Sequence, residues 1–157
     1  AASDVFKRQI LGLCVGLILI FFSIQNFKNS NQLDTKILSF SFLNKDHLLV
    51  ATKPGKMWLL DSLGSKIEVK NMVSVEYGGQ GGMGDVVPHP NYSINHFIYL
   101  SYITSDDGGQ TRYAVVDQAI LRDLSFPVLE NVERIWEQFP AVKGKGHFSN
   151  RIVFGPE

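Results

Sequence analysis

Residues 48–61 read Leu48-Leu49-Val50-Ala51-Thr52-Lys53-Pro54-Gly55-Lys56-Met57-Trp58-Leu59-Leu60-Asp61. Two mostly apolar runs flank a Lys-Pro-Gly-Lys segment in this stretch. Pro and Gly together favour a tight turn, and apolar runs of this length and composition are typical of strands. The stretch therefore predicts a β-hairpin with its turn at residues 53–56.

The same pattern continues on the C-terminal side of this hairpin. Residues 62–65 form a second turn signal, and residues 66–69 alternate polar and apolar side chains as a half-buried strand does. Further strands are predicted at 85–87, 97–103 and 113–121, with a loop at 105–109 between the last two. Only residues 132–138 offer a helical alternative. Consecutive short strands of this kind predict an all-β fold, either a propeller or a sandwich.

The composition excludes several classes of protein. The 157 residues are enough for one domain, and the 15 basic and 15 acidic residues cancel. Because Lys and Arg occur in no cluster larger than a pair, we expect no nucleic-acid partner. Cys14 is the only cysteine, so an intrachain disulfide and a cysteine-based zinc site are both excluded.

A glycine-rich segment near the C-terminus presents a histidine. It reads Gly-Lys-Gly-His at 144–147, and the apolar run at 152–154 predicts a short buried strand before Gly155-Pro156. Glycine permits backbone angles closed to other residues, so His147 can sit at the tip of a loop. Imidazole accepts a proton near neutral pH, which suits a general base. The alternative is a structural or merely exposed histidine.

A second glycine-rich segment, residues 78–85, reads Gly-Gly-Gln-Gly-Gly-Met-Gly-Asp. From residue 79 to residue 84 its spacing matches the dinucleotide-binding fingerprint G-x-G-x-x-G, which has to open a helix. Pro88 and Pro90 exclude a helix at this place. The glycines instead predict a tight loop ahead of the strand at 85–87.

Both glycine-rich segments resemble motifs of one family, the soluble quinoprotein glucose dehydrogenases, also called glucose/sorbosone or aldose sugar dehydrogenases. The matching strings are Gly-His-Phe-Ser-Asn-Arg-Ile-Val-Phe-Gly-Pro at 146–156 and Gly-Gln-Gly-Gly at 79–82, with His-Pro-Asn-Tyr at 89–92. The resemblance runs from about Leu48 to the end of the chain. The chain departs from the family at Met83-Gly84, where leucines are more usual, and at Ser149-Asn150, which replaces Gly-Ser.

The resemblance implies a six-bladed β-propeller. A blade of four strands takes about 40 to 45 residues in the familiar repeats, so residues 37–157 supply two to three blades. A propeller cannot close on that number. We therefore expect the chain to be the N-terminal part of a longer enzyme.

The same resemblance implies the chemistry of an aldose dehydrogenase. His147 would be the catalytic base that takes the proton from the anomeric hydroxyl of the sugar while a hydride passes to pyrroloquinoline quinone. Gln80 would line the cofactor or substrate pocket, with a purely structural turn as the alternative. Calcium would act as a Lewis acid on the quinone. The basic residues that hold the quinone and the groups that hold calcium would belong to later blades. No metal ligand is predicted in this chain, since His47, His89 and His96 lack metal-ligand spacing, and an unidentified electron acceptor is a further partner.

The first 27 residues differ from all the rest. Lys7 and Arg8 precede an uncharged run at 10–24, which is short for a membrane span of about 17 residues or more, and no small-residue cleavage signal follows it. Extending the run to residue 27 makes a span possible. The sequence predicts a signal anchor or transmembrane helix over 1–27, with a cleaved signal peptide as the alternative. It also predicts a tether over 28–36 and export of residues 37–157 to the periplasm or cell exterior.

Two other interpretations remain open. A non-catalytic propeller of the same superfamily would keep the strands and bind a protein or glycan partner, and the truncated chain could be inert. His147 and Gln80 favour the enzyme, because a binding module need not keep a base inside a glycine-rich loop. Trp58 and Trp136 are expected to pack between strands rather than to bind sugar.

Overall fold

The computed structural model of the protein describes residues 37–148 and 150–156. Its first sheet contains four antiparallel strands in sequence order, namely β1 (Ile37–Phe42), β2 (His47–Thr52), β3 (Met57–Asp61) and β4 (Lys66–Glu68). The hairpin predicted at 48–61 is confirmed, with Val50 opposite Trp58. Gly55 in its turn has a φ of 98°, a left-handed angle that favours glycine.

The second sheet repeats this arrangement. Its main strands are β5 (Met83–Pro88), β6 (Phe97–Thr104), β7 (Thr111–Ile120) and β8 (Glu130–Glu137), again antiparallel and in sequence order. The one-turn helix α1 (Tyr92–Asn95) lies between β5 and β6, and β9 (Val142–Lys143) pairs with the start of β7. The strands predicted at 85–87, 97–103 and 113–121 are therefore confirmed with longer bounds. The ambiguous residues 132–138 belong mainly to a strand.

The hydrophobic core lies between the two sheets. The first sheet contributes Leu49, Ala51, Met57 and Leu59, and the second contributes Val86, Ile98, Leu100, Tyr102 and Val115. All these side chains are buried. Strand β1 also contacts β5, so the first strand of one sheet adjoins the first strand of the next. Two consecutive four-stranded meanders confirm the all-β prediction and are consistent with blades of a propeller.

The segment that follows the histidine differs from its prediction. The sequence predicts a buried strand at 152–154, and that prediction is wrong, because residues 150–156 form no strand. Val153 is 82% exposed, whereas the ring of Phe154 packs edge-on against Tyr99 at 5.3 Å between centroids and against His89 at 5.5 Å. A strand needs a hydrogen-bonding neighbour, and the described residues offer this segment side-chain contacts instead.

The predicted helix and tether over residues 1–36 lie outside the described residues. Within residues 37–148 and 150–156, no helix is long and apolar enough to cross a membrane.

Candidate functional site

Two glycine-rich loops meet at one end of the second sheet. We call residues 78–82 the glutamine loop and residues 144–148 the histidine loop. The glutamine loop directly precedes β5, and the histidine loop directly follows β9. Gly79 and Gly144 have φ angles of 57° and 96°, in the left-handed region that other residues avoid. These positions explain why the sequence places glycine in both loops.

The hairpin turn of the first sheet supports the glutamine loop. Lys53 accepts a 2.9 Å hydrogen bond from the Met83 amide at its carbonyl, and its Nζ donates to the Gly79 carbonyl at 2.5 Å. A Cβ on Gly82 would lie only 2.4 Å from the Lys53 carbonyl oxygen. Only glycine therefore allows this close approach between the two sheets, and the loop is fixed against the first sheet.

The two loops also contact each other through their backbones. The Gln80 amide donates to the Lys145 carbonyl at 3.2 Å. A Cβ on Gly79 would lie 2.5 Å from Lys145 Cβ, so the loops pack without space for a side chain at that point. The placement of Gln80 thus depends on the course of the histidine loop.

Gln80 and His147, the two residues singled out in the sequence, lie together. Gln80 Nε2 is 3.1 Å from His147 Nε2, and both side chains are exposed. An amide nitrogen can only donate, so a hydrogen bond between these two atoms requires His147 Nε2 to be the unprotonated ring nitrogen. The arrangement leaves a proton-accepting nitrogen at the surface of the protein, held by a neutral side chain.

A cavity of about 330 Å³ opens beside Gln80, and Phe148 of the histidine loop, the neighbour of His147, lines it. Its lining also includes Lys53, Asp85 and Arg151. The Asp85 carboxylate is buried, and its oxygens accept hydrogen bonds from protein groups. The two cations and the Gln80 amide therefore give the cavity groups that suit a ligand with carboxylate and carbonyl oxygens.

Asn150 fixes the chain that leaves the histidine loop. A Cβ on Gly84 would lie 2.2 Å from Asn150 Cβ, so Gly84 provides the space that Asn150 fills. The Asn150 carbonyl accepts a short hydrogen bond from Ser101 Oγ, and the Ile152 amide donates to Asp85 at 3.2 Å. Asn150 Oδ1 is buried without a hydrogen-bond partner among the described residues.

Three charged residues hold the site together but did not stand out in the sequence, namely Lys53, Asp85 and Arg112. A lysine inside a Pro-Gly turn signals only a turn. The signal for Asp85 and Arg112 was available, since each is a charged residue at the start of an apolar strand, and such residues need a partner when buried. Their partners come from distant segments and could not be read locally.

The histidines at 47, 89 and 96 belong to no group of three or more possible metal ligands in the described part of the chain. Residues 37–148 and 150–156 contain no group of three or more His, Cys, Asp or Glu side chains that could hold an ion. His89 Nδ1 accepts a hydrogen bond from the Asn91 amide at 2.9 Å, which agrees with the turn role expected for it.

Comparisons with known proteins agree on one family. The family model "Glucose / Sorbosone dehydrogenase" matches residues 35–157. Aldose sugar dehydrogenase YliI of Escherichia coli (strain K12) is 29% identical over 119 residues, covering 74% of this chain and 31% of that protein. Quinoprotein glucose dehydrogenase B of Acinetobacter calcoaceticus is 28% identical over 145 residues, covering 82% of this chain and 30% of that protein.

Solved structures give the same result. The soluble aldose sugar dehydrogenase of Escherichia coli in its apo-form superposes with a TM-score of 0.70 at 25% identity, covering 76% of this chain and 35% of that one. The PQQ-bound aldose sugar dehydrogenase of Streptomyces coelicolor gives 0.62 at 25% identity, covering 78% and 35%. The chain spans about a third of the length of these relatives.

Proposed function

Because the chain belongs to the glucose/sorbosone dehydrogenase family, we propose that it forms part of a dehydrogenase that uses pyrroloquinoline quinone to oxidise an aldose at its anomeric carbon. The family resemblance seen in the sequence is thereby confirmed. The relatives named above are aldose sugar and glucose dehydrogenases, and one of the solved structures is PQQ-bound. The remaining two-thirds of those relatives have no counterpart in these residues.

The observation that carries the proposal is the 3.1 Å contact between Gln80 and His147 at the edge of a polar cavity. His147 Nε2 already acts as a hydrogen-bond acceptor. A sugar hydroxyl that took the place of the Gln80 amide would donate to the same nitrogen, and the proton could then move to it. In this scheme His147 is the general base, and Gln80 holds the ring in position until the substrate arrives.

The cavity suits the cofactor implied by the family. Pyrroloquinoline quinone carries carboxylates and quinone oxygens. Lys53 and Arg151 would pair with carboxylates, and the Gln80 amide would donate to a quinone oxygen. Bound there, the quinone would supply an acceptor for the hydride that leaves the sugar carbon. These roles rest on the chemistry of the lining groups.

The calcium ion implied by the family has no assigned ligand in this part of the chain. The described residues contain no group of three or more acidic, histidine or cysteine side chains that could hold an ion.

The proposal is tested by dye-coupled oxidation of aldoses, with added quinone and calcium, by the full-length protein. His147→Ala should lower turnover roughly 10²- to 10⁴-fold, the usual contribution of a positioned acid–base group. His47→Ala is the matched control, because His47 begins β2 at the end of the first sheet away from Lys53. Near-parental turnover of the His147 variant on every aldose that the parent oxidises would refute the assignment and favour the binding-module interpretation.

Export of the folded part is also proposed, on the evidence of Lys7 and Arg8 ahead of an uncharged run without a cleavage signal. The first residues would remain in the membrane as an anchor with the C-terminal side outside. N-terminal sequencing of protein from the membrane fraction tests this. A mature chain that begins near Asn26 would contradict the retained anchor.

A further inference from the structure

Arg112 is a buried cation whose two hydrogen bonds both go to the segments that carry the site. It lies at the start of β7, and only 6% of the residue is exposed. Its Nη2 donates to Glu76 Oε1 at 2.7 Å, and its Nη1 donates to the Gly144 carbonyl at 3.1 Å. One guanidinium thus joins two chain segments that are 68 residues apart in number, from residue 76 to residue 144.

The two partners stand at the roots of the two loops. Glu76 lies two residues before the glutamine loop, and its amide is tied to the Ile103 carbonyl at 2.8 Å. Gly144 is the first residue of the histidine loop. Because the guanidinium is planar and rigid, its two donors hold their acceptors at a fixed separation. One side chain therefore ties the two loop roots together, beside the backbone pairing of β9 with β7.

A third segment covers this ion pair. A Cβ on Gly109 would lie 2.6 Å from Glu76 Oε1 and 2.8 Å from Arg112 Nη2. The backbone at residue 109 therefore packs directly on the ion pair, in which the Arg112 side chain is 7% exposed and the Glu76 side chain 30%. This partial shielding strengthens the pairing of opposite charges, and it makes the pairing less dependent on salt.

We propose that Arg112 is a positioning residue that sets the distance between Gln80 and His147. Arg112 does not line the cavity, and it acts through Glu76 and Gly144. Its effect on catalysis rests on the proposed function, whereas its effect on loop placement does not. A misplacement of about 1 Å at a reacting group can reduce rate by roughly 10²-fold, so the loop that carries His147 needs such support at Gly144.

A purely structural role is the alternative, and the contacts argue against it. A buried ion pair is weak evidence for stability, because desolvation offsets much of the attraction. Arg112 Nε is in addition buried without a hydrogen-bond partner among the described residues. A residue selected only for stability would be replaced well by an apolar one, whereas a positioning residue needs two donors in a fixed fork.

The test is amide hydrogen exchange of the full-length protein in three variants. Arg112→Lys keeps the positive charge but loses the forked pair of guanidinium donors, and Glu76→Gln keeps the shape of the side chain but loses its charge. Arg122→Ala is the control, because it removes an exposed arginine that pairs with Glu130 at 3.6 Å. We expect exchange at the Gln80 amide, whose hydrogen bond to the Lys145 carbonyl joins the two loops, to rise roughly tenfold or more in Arg112→Lys and less in Glu76→Gln. Arg122→Ala should leave both loops unchanged.

The outcomes separate this inference from the proposed function. A folded Arg112→Lys protein whose two loops exchange at the parental rate overturns the positioning role, whatever its activity. In the same variant, kcat/KM for aldoses should fall if the loops carry the reaction, through kcat at His147 and through KM at Gln80. The positioning role is also overturned if exchange rises in Arg112→Lys but its turnover stays parental, while His147→Ala is inactive. A parent that oxidises no aldose overturns the proposed function, and the exchange result then decides the inference alone.

Discussion

The carboxylate of Asp85 in β5 accepts a 2.5 Å hydrogen bond from Ser39 Oγ in β1, which joins the first strands of the two sheets. Both residues are buried, at 3% and 4% exposed. The second oxygen of Asp85 accepts the Ile152 amide at 3.2 Å and lies 3.6 Å from Arg151 Nη1. A single carboxylate therefore links both sheets to the segment that follows His147.

We expect Asp85→Ala to lower the free energy of unfolding by about 2 to 4 kcal/mol, because the Ser39 hydroxyl and the Ile152 amide lose their acceptor in a buried place. Equilibrium urea unfolding of the purified protein measures this. Asp46→Ala is the control, since Asp46 is exposed and its ion pair with Lys45, at 3.6 Å, lies at the surface. A loss below about 0.5 kcal/mol, the range of ordinary surface changes, would contradict the role of Asp85.

The strands were predictable because their signals are local. The Pro-Gly turn at residues 54–55 and the alternation at 66–69 specify hairpins from neighbours alone. Strand β8 was ambiguous because its pairing with β7 joins residues such as Val116 and Trp136, which are 20 apart in number, and all its residues are exposed. The run at 152–154 misled for the same reason, since composition cannot reveal whether a partner strand is present.

The site was predictable in its parts and not in its assembly. Glycines at 78–82 and at 144–146 indicate loops, and the family resemblance singles out Gln80 and His147. Their contact depends on Arg112, Lys53 and the Lys145 carbonyl, which reach the loops from elsewhere in the fold. Contacts of such sequence separation carry no periodic or local signal, so they require the structure.

The loop at residues 105–110 should respond to acid. Hydrogen bonds from Thr111, first from its hydroxyl at 2.6 Å and then from its amide, lower the pKa of Asp107 from 3.8 to about 2. A lowered pKa in the folded state gives a stabilisation that is present above about pH 4 and is lost as the pH falls toward 2. The loop should therefore loosen in that window.

An NMR titration of the Asp107 carboxyl checks this. Thr111→Val should return its pKa toward 3.8, while Thr111→Ser, which keeps the hydroxyl, should leave it low. Equal titration of the two variants would show that the hydroxyl does not cause the shift.

One face of β1 is apolar and uncovered. Leu38, Phe40 and Phe42 are 46%, 52% and 52% exposed, and Phe40 and Phe42 stand opposite the buried Val50 and Leu48. Exposed apolar patches promote association, so we expect residues 37–157 expressed alone to aggregate.

Joint Phe40→Ser and Phe42→Ser substitution should raise the monomer fraction in size-exclusion chromatography. Leu63→Ser, at an isolated exposed turn position, should not. A cooperative thermal transition of the unmodified segment as a monomer would contradict the prediction.

Gln80 should affect binding more than the chemical step. Its Nε2 donates to His147 Nε2 at 3.1 Å, and its side chain also lines the cavity, so it touches both the base and the space for a ligand. A group that interacts alike in the ground and transition states changes KM more than kcat. Gln80→Ala should therefore weaken the binding of quinone or sugar with a smaller loss of turnover, whereas His147→Ala should spare quinone binding and lose turnover.

The measurement is quinone titration and aldose kinetics for both variants of the full-length protein. Gln80→Glu is the informative partner variant, because it keeps the length of the side chain but replaces the donating amide by an acceptor. It cannot donate to the neutral His147 Nε2, and it places a negative charge beside the cavity cations Lys53 and Arg151. Its quinone affinity should fall at least as far as that of Gln80→Ala. Parental quinone and sugar affinity in both Gln80 variants would remove Gln80 from the pocket and leave it a structural turn residue.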